Sequence, residues 1–338
     1  MEMMKKNIPD VIVSDIMMPK IDGFEFRRML LEQPSLKDIP FIFLTAKGSE
    51  EDILEGYDLG ITDYVVKTAG PKLVVAKVSA IINSLGNERK KVISELQEAT
   101  SSLRTKVVPD TFPVFDGFSI SHIHIPYKGI PGGDFLDYYQ LDENNLAVIL
   151  GDVMGKKWGA WYFAYAYAGY IRSALRSVLQ NAKDYSPSEI LQQVNLTVYG
   201  DTKISEVFAT LSIIIINNKT NELKYSGAGD IPIIYKNSEG ELLSIKSKGL
   251  LLGFSKMGDY EDNVIQLKAG EQVYLTTDGI TDSRAKSLES FGEHRLYEII
   301  RDIKTDENSL EIIQRKFDEF TESEYDDDIS LILISVNS

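Results

Sequence analysis

The chain has 338 residues, 43% of them apolar and 10% aromatic, enough to build a core in each of two domains. A formal charge of -15 repels nucleic-acid backbones and anionic lipid, leaving cations and basic protein patches as fitting partners. Cysteine is absent, which excludes disulfides, thiolate zinc sites and thiol nucleophiles; with only three histidines, His122, His124 and His294, carboxylates are the abundant metal ligands, and they suit magnesium, manganese or calcium.

Three short β-branched runs, Pro9 to Ser14, Phe41 to Leu44 and Asp63 to Val66, alternate with segments of helical spacing. That rhythm predicts an α/β unit, a parallel sheet with crossover helices, over residues 1–84. From about Asn87 to Val107 the chain is charged and helix-prone, with Leu85, Val92 and Ala99 at seven-residue spacing and Leu96 and Leu103 on a neighbouring stripe. Residues 85–108 therefore read as a linker helix that either forms a homodimer with its copy or packs on its own domains; two heptads do not decide. Pro109 and Pro113 end it.

Residues 109–338 read as a second, α+β domain, an antiparallel β-sandwich flanked by helices. Its predicted strands are Phe135 to Leu141, Leu146 to Gly151, Phe208 to Ile216, Glu222 to Ser226, Ile231 to Lys236, Gln272 to Thr276 and Ile329 to Val336. Hairpin signals at Asn217 to Asn221 and Asn237 to Gly240 make neighbours antiparallel. Helices are expected over Trp158 to Gln180, Ser186 to Tyr199, His294 to Lys304 and Ser309 to Phe320. Alanines 160, 164 and 168 interrupt the aromatic residues Trp161 to Tyr170 at helical spacing, which marks a packing helix rather than a cofactor site. No leader segment is visible, and the uncharged run Gly159 to Ile171 is too short to span a bilayer, so a cytoplasmic protein is expected.

Four aspartates abut predicted strands: Asp134 in Pro-Gly-Gly-Asp-Phe-Leu-Asp, Asp152 in Gly-Asp-Val-Met-Gly, Asp278 in Thr-Asp-Gly-Ile-Thr-Asp and Asp327 in Asp-Asp-Asp-Ile-Ser. Carboxylates gathered at one sheet edge repel one another unless a cation sits among them, and no lysine or arginine neighbours three of these motifs. Divalent ions answer that repulsion, and the carbonyl of Val153 can add a ligand. Two ions about 4 Å apart can bridge one water, lower its pKa and direct it at phosphorus without a covalent intermediate. Singly, an Asp-Gly pair is an ordinary turn and the acidic run Asp318 to Asp328 a solvated face; the ordered set of four carries the reading.

These motifs resemble, in order and context, the metal motifs of the PPM-type serine/threonine phosphatases, in the bacterial SpoIIE-type branch. The resemblance implies that Asp152 bridges two Mn2+ or Mg2+ ions and that Asp134, Asp278 and Asp327 complete the shells, with Asp328 or Asp326 able to take the place of Asp327. It implies a phosphorylated protein substrate, in that branch an anti-sigma factor antagonist. Where the family often has Gly-His-Gly this chain reads Gly155-Lys156-Lys157, and where it often has Ala-Gly-His it reads Ala228-Gly229-Asp230, so neither place offers a histidine to protonate the leaving oxygen. Lys156 either orients phosphate or is a surface lysine.

The N-terminal segment resembles the later part of a response-regulator receiver domain. Asp15 matches the phospho-acceptor, Thr45 the switch threonine and Lys67 the phosphate-contacting lysine, and a sensor kinase is the implied partner. The acidic pair that opens such domains is not matched, so the receiver reads as lacking its first third and Asp15 is expected not to switch the chain. A catalytically silent adaptor is the rival to an enzyme; retention of the four aspartates favours the enzyme. A nucleotidyl cyclase or polymerase would need a basic triphosphate cradle, which the sequence does not show.

Overall fold

A computed structural model describes residues 9–33, 36–45, 50–103, 107–129, 132–154, 160–182, 184–201, 208–304 and 307–337. The chain divides into two compact units, Met1–Leu96 and Gln97–Ser338.

In the first unit β1 (Ile12–Asp15), β2 (Phe41–Thr45) and β3 (Asp63–Val66) form a parallel sheet in that order. Between them lie α1 (Gly23–Leu31) and α2 (Glu50–Asp58). Asp22 starts α1 because its carboxylate accepts the orphan N–H of Glu25 at 2.8 Å. The apolar faces of strands and α1 meet in a cluster that includes Ile12, Phe24, Leu30, Phe41, Phe43 and Ile61. Parallel pairing in register, Asp15 opposite Leu44 and Thr45 opposite Val66, brings the three strand C-termini to one end of the sheet.

Helix α3 runs without a break from Pro71 to Leu103. The sequence rhythm implies a helix after the third strand and then a separate linker helix over residues 85–108; instead, Pro71 at the first turn, where a missing N–H costs nothing, opens one continuous helix. The two compact units meet inside it, between Leu96 and Gln97. The side chains of Val92, Leu96, Ala99 and Leu103, which carry the proposed pairing stripe, lie outside the described residues.

The second unit is a sandwich. One sheet has the order β10 (Leu242–Ile245), β9 (Ile233–Lys236), β12 (Gln272–Thr276), β13 (Ile329–Val336), β4 (Phe118–Ile125). The other has the order β11 (Asn263–Gln266), β8 (Glu222–Ala228), β7 (Ala209–Asn217), β6 (Asn145–Val153), β5 (Phe135–Gln140). Every pairing in both is antiparallel. Alternation places Leu146, Val148, Ile214 and Ile216 of one sheet against Val273, Leu275, Ile332 and Ile334 of the other in a shared core. On its outer face the β6–β7 sheet packs Ile149, Leu211 and Ile213 against α4 (Ala160–Asn181) and α5 (Pro187–Tyr199). The opposite outer face packs Tyr274, Leu331 and Leu333 against α7 (Gly292–Asp302) and α8 (Ser309–Thr321). A short helix, α6 (Asp278–Asp282), follows β12.

All seven predicted strands and four predicted helices of this unit are present within a few residues of the expected limits, whereas β4, β10, β11 and α6 were not predicted. Trp158 and Lys156 lie outside the described residues. Ala164 and Ala168 are buried against the sheet, so α4 is the packing helix that its alanine spacing indicates. Both hairpins form: Asn217 Oδ1 accepts the N–H groups of Lys219 and Thr220 at 3.0 Å each, and Asn237 Oδ1 accepts those of Glu239 and Glu241 at 3.0 and 2.8 Å. Among the described residues no helix is long and apolar enough to cross a membrane.

Candidate active site

Antiparallel strands from both sheets end close together, and four acidic motifs lie at those ends. Asp134 immediately precedes β5, Asp152 closes β6, Asp278 follows β12, and Asp327 and Asp328 precede β13. Asp134 is almost fully buried, 2% exposed, and its Oδ2 accepts from Thr277 Oγ1 at 2.8 Å and Ser330 Oγ at 2.6 Å. Burial, then the neighbouring charges of Asp152 and Asp328, holds its carboxyl well above the usual carboxylate range despite those two donors.

Asp328 is buried as well; its Oδ1 accepts the N–H of Tyr127 at 2.7 Å and its Oδ2 that of Asp134 at 3.3 Å. Burial pushes its carboxyl up, against the backbone donors. Asp327 is exposed, and its Oδ1 accepts the N–H of Asp328 at 2.9 Å. Asp326 is exposed too. Of the three adjacent aspartates, Asp328 braces the loop around Asp134 while Asp326 and Asp327 lie exposed.

Gly133 brings backbone close to Asp152. A Cβ there would come within 2.5 Å of the Val153 carbonyl oxygen and 3.0 Å of Asp152 Oδ1. The Val153 N–H donates to Gly133 O at 3.2 Å, which fixes that approach. Two further glycines serve packing: Gly151 makes room for the Phe135 ring, and Gly279 for the Asp328 carbonyl.

Between the strand ends lies a cavity of about 80 Å³ whose walls include Asp152, Thr210, Ser212, Asp230, Thr277 and Asp278. Asp152 and Asp278 are half-buried there. Among the described residues no three Asp, Glu or His side chains converge tightly enough to coordinate one ion unaided. The donor types nonetheless fit a hard divalent cation: carboxylate oxygens, the Val153 carbonyl, and a carboxyl pushed up first by burial and then by two neighbouring like charges of the kind a cation relieves.

Several contributing residues carry no role in the sequence reading. Thr277 and Ser330 sit inside quoted motifs, but only the sandwich shows that both serve Asp134. His124 lies opposite Ser330 in the β4–β13 register, with its Nδ1 at 3.0 Å from Ser330 Oγ. Since the single Ser330 proton goes to Asp134, Nδ1 is the donor of that pair; burial lowers the His124 pKa to about 4 and keeps the ring neutral. A predicted strand over Phe118 to Ile125 would have exposed this link.

In the first unit Asp15 and Lys67 form an ion pair, and Thr45 is buried at the end of β2. The lysine holds the Asp15 carboxyl below its usual value. All three sequence-predicted residues therefore share the C-terminal end of the parallel sheet, the edge at which such sheets bind ligands.

The profile of Stage II sporulation protein E (SpoIIE) matches residues 142–337, more than half of the chain. The chain belongs to the SpoIIE family. Residues 1–79 of this SpoIIE-family chain match the response regulator receiver domain. Protein IcfG of Synechocystis sp. is 27% identical over 240 residues, covering 64% of this chain and 37% of IcfG, so the chain spans well under half of that relative. The SiaA-PP2C domain of Pseudomonas aeruginosa superposes with a TM-score of 0.62 at 20% identity, over 73% of this chain and 98% of that one. RsbX, solved in complex with magnesium, superposes with a TM-score of 0.50 at 17% identity, over 67% of this chain and 99% of its own. The second unit thus has the PP2C phosphatase fold, and the first is receiver-like.

Proposed function

We propose that this SpoIIE-family chain hydrolyses phosphoserine or phosphothreonine on a regulatory protein, an anti-sigma factor antagonist, under the influence of its receiver domain. The observation that carries the reading is the crowding of Asp152 and Asp328 about a buried Asp134, beside a cavity that also has Asp278 on its wall. Asp152 with the Val153 carbonyl, Asp134, Asp278 and Asp327 are the groups that would hold Mn2+ or Mg2+. When bound, such ions supply Lewis acidity and make a coordinated water acidic enough to attack at neutral pH. The chain's own contribution is positional. Thr277 and Ser330 pin Asp134, Asp328 pins the Asp134 backbone, and Gly133 admits the Val153 carbonyl, so part of the proposed donor set is held by the fold itself.

The magnesium complex of RsbX supports a divalent ion in this fold, and the receiver match supports a sensor kinase as a partner. A phosphoserine peptide, assayed with manganese or magnesium and then with excess chelator, tests the proposal. Hydrolysis is expected only with the ion. It should be lost in Asp278→Ala with the fold retained, and no phosphoenzyme should be trapped by acid quench. Turnover that persists in chelator or in Asp278→Ala would remove the metal reading.

A further inference from the structure

Asp230 is not among the residues proposed to hold a cation, yet it lines the same cavity as Asp152 and Asp278. Two donors, Ser212 Oγ on β7 and Tyr225 Oη on β8, the latter at 2.7 Å, converge on a single one of its oxygens, Oδ2. The other, Oδ1, is out of contact with solvent and has no hydrogen-bond partner. The absence of a side chain on Gly227 leaves the space for Oδ1, since a Cβ there would collide with it. The residue as a whole is half-buried, but this oxygen is enclosed.

That asymmetry has a chemical reading. An ionised carboxylate with one oxygen doubly bonded to donors and the other bare and buried forgoes the solvation of half its charge. A neutral carboxyl does not: Oδ2 serves as the carbonyl oxygen that accepts from Ser212 and Tyr225, and Oδ1 carries the proton. Burial raises the Asp230 pKa to about 6, outweighing the Ser212 and Tyr225 hydrogen bonds. The other titratable groups around it favour the same state. Tyr225 is pushed far up and stays a neutral donor, and the acidic side chains of Asp152 at the end of β6 and Asp278 at the start of α6 line the same cavity. The Oδ1 proton lacks an acceptor within the protein, and the residue that carries it lines the cavity shared with the proposed cation-binding aspartates.

From this geometry we infer that Asp230 is the general acid of the reaction, giving its Oδ1 proton to the serine or threonine oxygen as the phosphorus–oxygen ester bond breaks. The inference rests on the phosphatase reading above. The proton balance closes: water adds its oxygen to phosphorus, the alcohol leaves with the Asp230 proton, and the proton lost by the water replaces the one that Asp230 gave up. An alkoxide is a poor leaving group and needs that proton, whereas nitrophenolate leaves without it.

The test compares wild type and Asp230→Asn, both with manganese, on a phosphoserine peptide and on p-nitrophenyl phosphate. We expect about a hundredfold or greater loss on the peptide and little change on the aryl ester. The descending limb of the wild-type peptide pH profile should vanish in Asp230→Asn, and Tyr225→Phe, which takes a donor from Oδ2, should move that limb to higher pH. A second readout is independent of turnover. The infrared difference between metal-free wild type and Asp230→Asn should show a protonated carboxyl band at pH 5 that fades as the pH rises through about 6. Equal losses on both substrates, an unaltered peptide rate, or no such band would overturn the general-acid role while leaving a working phosphatase. Wild type inert on both substrates would instead overturn the phosphatase reading and this role with it.

Discussion

Asp327 and Asp328 are adjacent and chemically identical, yet their settings predict opposite phenotypes when either is cut to alanine. Asp328 is buried and accepts two backbone N–H groups, from Tyr127 at 2.7 Å and Asp134 at 3.3 Å. Hydrogen bonds to a charged group contribute roughly 1.5–3 kcal/mol each, and the longer one belongs at the low end. Burial of the charge offsets part of this, as the raised Asp328 pKa shows, so a net loss of about 2–4 kcal/mol is expected for Asp328→Ala. At roughly 2–4 °C per kcal/mol for a unit of this size, the metal-free protein should melt about 5–15 °C lower. Asp327 is exposed to solvent, where substitutions cost little, so Asp327→Ala should stay within about 0.5 kcal/mol of wild type. The cation separates the pair a second time. A ligand present at a hundredfold its dissociation constant stabilises by about 2.7 kcal/mol, and removing Asp327 as a ligand removes that gain. Thermal melts of the three proteins, with and without manganese, make the comparison. A destabilised metal-free Asp327→Ala that still gains on manganese, beside an undisturbed Asp328→Ala, would refute the assignment of bracing to Asp328 and cation contact to Asp327.

Gly133→Ala should cost about 1–3 kcal/mol in a thermal melt and weaken manganese binding by calorimetry, because its Cβ falls 2.5 Å from the Val153 carbonyl oxygen. Arg172 pairs with Asp137 through Nε at 2.5 Å and Nη2 at 3.0 Å, both side chains mostly buried; Arg172→Met should cost about 3–5 kcal/mol in denaturant unfolding, and adding Asp137→Asn should restore much of it. Two buried groups set opposing pH slopes for the metal-free fold. His124, lowered to about 4 from 6.5, is neutral when folded, so its contribution is lost as the pH falls below about 6.5, and His124→Gln should flatten that acid-side loss. Asp230, raised to about 6 from 3.8, binds its proton more tightly when folded, so stability falls as the pH rises through that window; Asp230→Asn should gain on wild type by roughly 2–3 kcal/mol above pH 6, read as melting temperature against pH.

What the sequence makes legible here follows from how local each signal is. Strands such as β6 and β13 are runs of apolar, β-branched residues, and the hairpins carry Asn and Gly at the turn, so pattern and turn chemistry suffice. Strand β4 hides because His122 and His124 break the apolar alternation of one face and Ser119 and Ser121 that of the other, and β10 and β11 because short edge strands carry mixed polarity and few buried side chains. Helix α6 hides inside the Thr-Asp-Gly motif that otherwise reads as a turn.

The candidate site divides along the same line. Aspartates that abut strands can be counted from the chain, but whether a given one faces cation, solvent or backbone depends on contacts some two hundred residues apart, such as Asp328 with Asp134 and Tyr127. Asp230 is the sharpest instance. In the sequence it marks only the loss of an expected histidine. Its distinctive state needs Ser212 and Tyr225 from two neighbouring strands to fall on one oxygen, and a glycine at 227 to leave room for the other. A carboxyl shielded in that way is an acid able to hold a proton close to neutral pH, the property a histidine would have supplied by its nature. A residue's own chemistry can be read from sequence; the chemistry that neighbours impose on it waits for the fold.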